Sequence, residues 1–294
     1  MWKSLPEKIR AGDSRALSRA ISLVENEVAG YEDFLQQLPY NSSVKITGIT
    51  GPPGAGKSTL ADCLIGEYVG RNDRVSIICI DPSSAFTGGA LLGDRVRMRE
   101  WYNHPNVYIR SLSTRGTLGG LNPGIVEITD IIRTAPFDHI IIETVGVGQN
   151  EIEIAALADT TVVVQVPEGG DDIQAMKAGL MEIADIIVVN KCDRPGAELF
   201  TKNLRLMLHD GRTDISIIKT TASANLGTRE LANAITLHQE KHGTENKVPS
   251  LMKRALQLIL KNKMKQVNKA QLEQLLKENY QQKDFNLYRL INRF

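Results

Sequence analysis

The chain has 294 residues, 35 Lys and Arg against 34 Asp and Glu, a formal net charge of +1 and 42% hydrophobic residues. That length fits one large domain, or one domain with appendages. The near-neutral balance gives no global electrostatic pull toward nucleic acid or an acidic membrane surface.

The N-terminal residues 4–38 read as helical. Leu17, Ile21, Leu23 and Val24 form an apolar stripe, and Asp13 or Ser14 can cap its start. From about residue 43 the pattern changes. Short runs that stay apolar throughout recur at Val75–Ile80, His139–Ile142, Thr161–Val166, Ile186–Val189 and Ile215–Ile218, separated by helical segments. Such runs indicate strands covered on both faces, and their alternation with helices indicates a parallel α/β sheet. In these sheets ligands collect beyond the carboxyl ends of the strands.

The first strand-like stretch, Val44 to Thr50, leads into Gly51-Pro52-Pro53-Gly54-Ala55-Gly56-Lys57-Ser58, a complete G-x-x-x-x-G-K-S loop. Glycines let backbone N–H groups turn inward around phosphates, Lys57 adds a point positive charge, and Ser58 offers a hydroxyl to Mg²⁺. Thr59 and the helical stretch after it, with Leu60, Cys63, Leu64 and Tyr68 at helical spacing, complete a strand–loop–helix anion site. Asp81 follows the second strand. It either starts a turn before Pro82 or faces the magnesium. The stretch Thr87-Gly88-Gly89 through Gly93-Asp94-Arg95 suits a loop that rearranges around a γ phosphate. Asp94 is read as a metal-side residue there, with a helix cap or ion pair as its structural alternative. Arg95, Arg97 and Arg99 read equally as a solvated face.

Glu143 leaves a buried strand, which is costly for a carboxylate unless a cation pairs with it. Gly146 can offer its N–H to a γ phosphate with no side chain intruding, and Gln149 lies close by in sequence. Glu168-Gly169-Gly170-Asp171-Asp172 is either a helix-start loop or a third switch. Asn190-Lys191-Cys192-Asp193 ends another strand. N-K-x-D reads guanine: Asp193 accepts from the ring N1–H and the exocyclic amino group, which adenine cannot satisfy. Ser223 and Ala224 can add a backbone N–H to guanine O6. GTP and GDP with Mg²⁺ are therefore the expected ligands. Cys63, Cys79 and Cys192 make neither a disulfide framework nor a thiolate metal site, and the five histidines do not cluster. Reduced thiols, a first segment unlike a signal peptide and the lack of a bilayer-length apolar run lead us to expect a cytoplasmic protein without membrane or nucleic-acid partners.

Taken in order, Gly51 to Ser58, Asp81-Pro82-Ser83-Ser84, Thr87 to Arg95, Glu143 to Gln149 and Asn190 to Asp193 closely resemble the MeaB/ArgK GTPases, over roughly residues 10–240. Asn150 stands where that family often has serine. The resemblance implies a P-loop G domain, with a mostly parallel central sheet flanked by helices and with N- and C-terminal helical extensions. It implies a GTPase that gates adenosylcobalamin loading and protects methylmalonyl-CoA mutase or a related acyl-CoA mutase. Carried onto this chain, Lys57 binds phosphate, Ser58, Asp81, Asp94 and Glu143 surround magnesium, and residues near Val166 to Lys177 sense the client. A homodimer is implied too. Expected segments are an N-terminal helical extension (1–40), a GTPase domain (41–243) and a C-terminal arm (244–294), the arm being the dimerisation element. Two other classes share such motifs. A nickel-enzyme metallochaperone GTPase should carry Cys/His ligands near the nucleotide loops, and a transport-linked kinase should carry a pocket for a basic amino acid.

Overall fold

The described residues contain seven strands, six of them on the apolar runs and β3 outside them: β1 (Lys45–Thr50), β2 (Val75–Asp81), β3 (Val107–Ser113), β4 (His139–Glu143), β5 (Thr160–Gln165), β6 (Ile186–Val189) and β7 (Ser216–Lys219). They make one sheet in the order β3-β2-β4-β1-β5-β6-β7, with every neighbouring pair parallel. This is a computed structural model, and it describes residues 2–39, 41, 43–81, 98–115, 121–146, 150–168, 180–209, 215–242, 247–281 and 285–292. The helices are α1 (Leu5–Arg10), α2 (Ser14–Glu25), α3 (Tyr31–Gln36), α4 (Lys57–Gly70), α5 (Ile125–Arg133), α6 (Asn150–Leu157), α7 (Leu180–Ile183), α8 (Ala197–His209), α9 (Thr228–His242), α10 (Lys247–Lys265), α11 (Lys269–Asn279) and α12 (Leu287–Ile291). The chain divides into two compact units, Met1–Lys247 and Val248–Phe294.

In the first unit the central strands are apolar on both sides because helices cover both faces. Val162 and Val164 join Leu60, Leu64 and Tyr68 of α4 and Leu231 of α9 in one core cluster. Val163, between them, joins Ile187, Phe200 and Leu204 in a second cluster on the opposite face. The amino edge of the sheet is stitched by aspartates placed one residue before a strand. Asp138 accepts the amide of Arg74 at 2.8 Å, Asp159 that of Ile46 at 2.7 Å and Asp185 that of Thr161 at 2.8 Å. Each carboxylate satisfies an amide where a strand begins.

The N-terminal stretch folds as three helices. Gly12, Glu27 and Gly30 adopt left-handed φ values of 84°, 49° and 85° and break its continuity. Asp13 is the cap, accepting from the amides of Arg15 (2.9 Å) and Ala16 (3.0 Å). These helices reach the sheet edge at β3, where the Tyr108 and Ser18 hydroxyls lie 3.0 Å apart and Glu25 pairs with Arg110 at 3.1 Å. β3 is a strand that the search for continuous apolar runs does not find. Tyr108 and Arg110 break its apolar character.

In the second unit Asn268 and Asn286 cap α11 and α12, each accepting an amide at 3.1 Å. Leu256, Ile259 and Leu260 of α10 are exposed by 48%, 53% and 64%. Among the described residues no helix is long and apolar enough to cross a membrane.

Candidate functional site

Strand register brings the motifs to one edge. Ile49 and Cys79 both lie beside Glu143, Asp81 lies beside Ser113, and Gln165 lies beside Val189. The chain leaving β1, β2, β4 and β6 at this edge carries the glycine loop, Asp81, Glu143 to Gly146, and Asn190 to Asp193.

The loop from Gly51 to Gly56 runs straight into α4, where Leu60 N–H bonds to the Gly56 carbonyl at 2.9 Å. Ala55 N–H closes a turn on the Pro52 carbonyl at 3.3 Å. Pro53 and Gly54 are exposed, Pro52 and Thr59 are half-buried, and Ala55 is buried. Gly56 has φ +92°, and a Cβ there would lie 2.4 Å from Asn190 Nδ2. Glycine is therefore required both by conformation and by the approach of the base motif. Lys57 is 6% exposed, and its ammonium donates to the carbonyls of Gly51 (2.9 Å) and Pro52 (3.1 Å). Gly146 stands directly against it. With φ +81°, a Cβ at Gly146 would lie 2.3 Å from Lys57 Nζ and 2.4 Å from the Gly51 carbonyl. Thr144, just before, holds β4 to β1: its amide donates to Ile49 O and its hydroxyl to Thr50 Oγ1, both at 3.0 Å.

Two buried carboxylates flank the α4 N-terminus. Val75, Ile77 and Cys79 pack in the α4 cluster, as does Ile141. Strand alternation therefore turns Asp81 and Glu143 toward the same face. Asp81 is 3% exposed and Glu143 4%. Ser58 Oγ donates to Glu143 Oε1 at 2.5 Å. The Ser58 hydroxyl and Glu143 carboxylate form an oxygen pair of the kind that suits a hard divalent cation such as Mg²⁺, and Asp81 lies on the same face of the neighbouring strand.

Asn190 joins the glycine loop to the turn at Thr220 and Ala222. Its Nδ2 donates to Ala55 O at 2.9 Å, while its Oδ1 accepts from Thr220 Oγ1 (3.0 Å) and Ala222 N (3.1 Å). Lys191 Nζ reaches Gly54 O at 2.6 Å. Asp193 is exposed at the rim, as are Ser223 and Ala224. The Ala224 N–H is engaged within its own turn, donating to Thr221 O at 2.9 Å. Sequence reasoning missed Thr220, Ala222 and Cys63. Cys63 Sγ donates to the Ala222 carbonyl at 3.2 Å. Its helical spacing identified it only as part of an apolar stripe. Burial pushes the Cys63 thiol up to about 11, and burial raises Cys192 too.

Asp94, Gln149, the stretch from Thr87 to Gly93, Arg95, Arg97, Asp171 and Asp172 lie outside the described residues, as do residues 169–177 of the expected third switch. Arg99 is described and exposed. Glu168 pairs with Arg194, next to Asp193, and that hydrogen bond holds its carboxyl below the usual range.

The family model described as methylmalonyl Co-A mutase-associated GTPase MeaB matches residues 17–280. A Pyrococcus abyssi protein provisionally named a GTPase is 46% identical over 248 residues, which is 82% of this chain and 76% of its own. The mouse methylmalonic aciduria type A homolog, mitochondrial, is 38% identical over 197 residues, 62% of this chain and 48% of its own. A crystal structure of an LAO/AO transport system kinase superposes with a TM-score of 0.68 at 24% identity, covering 96% of this chain and 87% of that one. At that identity the likeness speaks for the fold alone.

Proposed function

The chain belongs to the MeaB family of GTPases, and on that premise we propose that it is a Mg²⁺-dependent chaperone GTPase for methylmalonyl-CoA mutase or a related cobalamin-dependent acyl-CoA mutase, gating adenosylcobalamin loading. The observation that carries the nucleotide reading is the Ser58–Glu143 hydrogen bond of 2.5 Å. It joins the phosphate-loop hydroxyl to the β4 carboxylate beside Lys57 and Gly146. In this reading the residues from Gly51 to Thr59 cradle the phosphates, Lys57 balances their charge, and Ser58, Asp81 and Glu143 hold the metal side. When bound, Mg²⁺ would neutralise charge on the β and γ phosphates. The client assignment rests on the family's name.

Asn190 and Lys191 hold the base motif against the loop, and Asp193 reads guanine. Asp193→Asn should remove guanine preference and favour xanthine nucleotides, because the amide presents a donor where the carboxylate accepted. Calorimetry decides this: equal ATP and GTP affinity in the native chain would contradict it.

Intrinsic hydrolysis should be slow. The residue after Gly146 is Val147, whose side chain cannot orient a water as a glutamine does. Client binding would order the surrounding loops and supply the missing positioning. Single-turnover GTP hydrolysis with and without the mutase tests the chaperone reading. A fast free enzyme, or no acceleration at saturating mutase, would overturn it and leave the GTPase standing.

We read the protein as a homodimer built through α10. The exposed Met252, Leu256, Ile259, Leu260 and Met264 support this, since they recur along one side of the helix. Light scattering of a chain ending at Lys247 should give the monomer mass. A dimer from that truncated chain would move the interface elsewhere.

A further inference from the structure

Cys63 lies on α4, the helix that starts at the phosphate loop. Its Sγ reaches the carbonyl of Ala222 at 3.2 Å. Ala222 opens the short turn Ala222–Ala224 that stands beside the base motif, and it is only 5% exposed. Its peptide group is gripped from two directions. The N–H donates to Asn190 Oδ1 at 3.1 Å, and Asn190 in turn bonds Ala55 of the phosphate loop at 2.9 Å. The carbonyl takes the thiol from α4 beside the Asn225 N–H of its own turn, at 3.0 Å, so the thiol is the donor that comes from outside the turn. The contacts close a ring: phosphate loop, Asn190, Ala222, Cys63, α4 and back to the loop. An ordinary thiol is protonated at neutral pH and burial pushes this one further up, so the donor proton is in place.

We propose that Cys63 is a positioning residue for guanine-nucleotide binding, its thiol proton holding the Ala222 carbonyl and so locking the base-side turn to the phosphate-loop helix. This rests on the reading that Asp193 and this turn take the base. The consequence is that the phosphate and base halves of the site move as one body, and loss of the tether lets the base side open while the phosphate side stays intact. The competing role is packing, since Cys63 also touches the apolar cluster under α4.

Three variants separate donor from volume. Cys63→Ser keeps a donor, Cys63→Val keeps apolar bulk without one, and Cys63→Ala keeps neither. The readout is the dissociation rate of fluorescently labelled GDP in Mg²⁺, with thermal melts of the nucleotide-free proteins alongside. Cys63→Val and Cys63→Ala should release GDP about five-fold faster, the scale of one modest hydrogen bond, and Cys63→Ser should release it at close to the native rate. A purely packing role would instead make Cys63→Val native-like and Cys63→Ser fast, and that pattern overturns the proposal. Equal rates in all four proteins overturn it as well. If Cys63→Ala does not fold, the serine–valine contrast still decides. A native protein that binds no GDP overturns the guanine-site reading itself, and the tether falls with it.

Discussion

GTP hydrolysis should fall by about three orders of magnitude when either Lys57 or Ser58 is replaced by alanine, and the two variants should fail for different reasons. Lys57→Ala removes the buried charge that, on the proposed reading, faces the phosphates. That ammonium donates to two loop carbonyls, at 2.9 and 3.1 Å. Deleting it loses those bonds but also relieves the desolvation of a buried cation, so the free protein's stability should change little. Ser58→Ala takes a hydroxyl donor from Glu143, which is 4% exposed. Loss of a donor to a buried carboxylate costs about 1–3 kcal/mol, so this variant should melt earlier even without ligand. Thermal melts with and without GDP and Mg²⁺ separate the two. Ligand at a hundred times its Kd should add about 2.7 kcal/mol to the native protein. It should add almost nothing to Lys57→Ala. Full single-turnover activity in either variant would remove that residue from the site.

The central sheet was legible because its strands are buried on both faces and so read as unbroken apolar runs. β3 was not, because Tyr108 and Arg110 interrupt it to meet Ser18 and Glu25 of α2, whereas β7, the other edge strand, keeps Ile217 and Ile218 and stays apolar. The break of the N-terminal stretch into three helices turned on backbone conformation at Gly12, Glu27 and Gly30. Of these, only the glycines announce such a conformation in sequence. The motif residues were readable because each has a type and spacing dictated by its own chemistry. What the sequence could not display was the bonding between distant segments. Asn190 is part of a known motif, yet its reach to Ala55, Thr220 and Ala222 depends on β6 and β1 being separated only by β5. Thr144 bonding Thr50, and Cys63 bonding Ala222, follow from the same packing. No local pattern distinguishes Cys63 from an ordinary apolar helix position.

Gly146→Ala should cost at least about a hundredfold in GTP hydrolysis, the scale of losing one well-placed donor to developing charge. Two effects combine at this position. The backbone is left-handed, with φ +81°, and an L side chain there costs about 1–2 kcal/mol. The added Cβ would also sit 2.3 Å from Lys57 Nζ and 2.4 Å from the Gly51 carbonyl. The lysine tip could swing away, but only by abandoning the loop carbonyls that hold it. The Gly51 carbonyl is backbone and cannot yield without moving the phosphate loop. Relief must therefore come from Gly146 backing away from the loop, which withdraws its N–H from the place where a γ phosphate would lie. GTP affinity should drop more than GDP affinity, because only GTP carries that phosphate. Gly196→Ala is the control for strain. Gly196 has φ +86°, but an added Cβ meets nothing within 4 Å. It should lose only the strain part of the stability, about 1–2 kcal/mol, while hydrolysing GTP at close to the native rate. Rates and GTP-to-GDP affinity ratios for the two variants, measured at temperatures where both are folded, give the answer. If Gly146→Ala turns over GTP as fast as Gly196→Ala, the close approach of Gly146 to Lys57 and Gly51 has no part in the reaction.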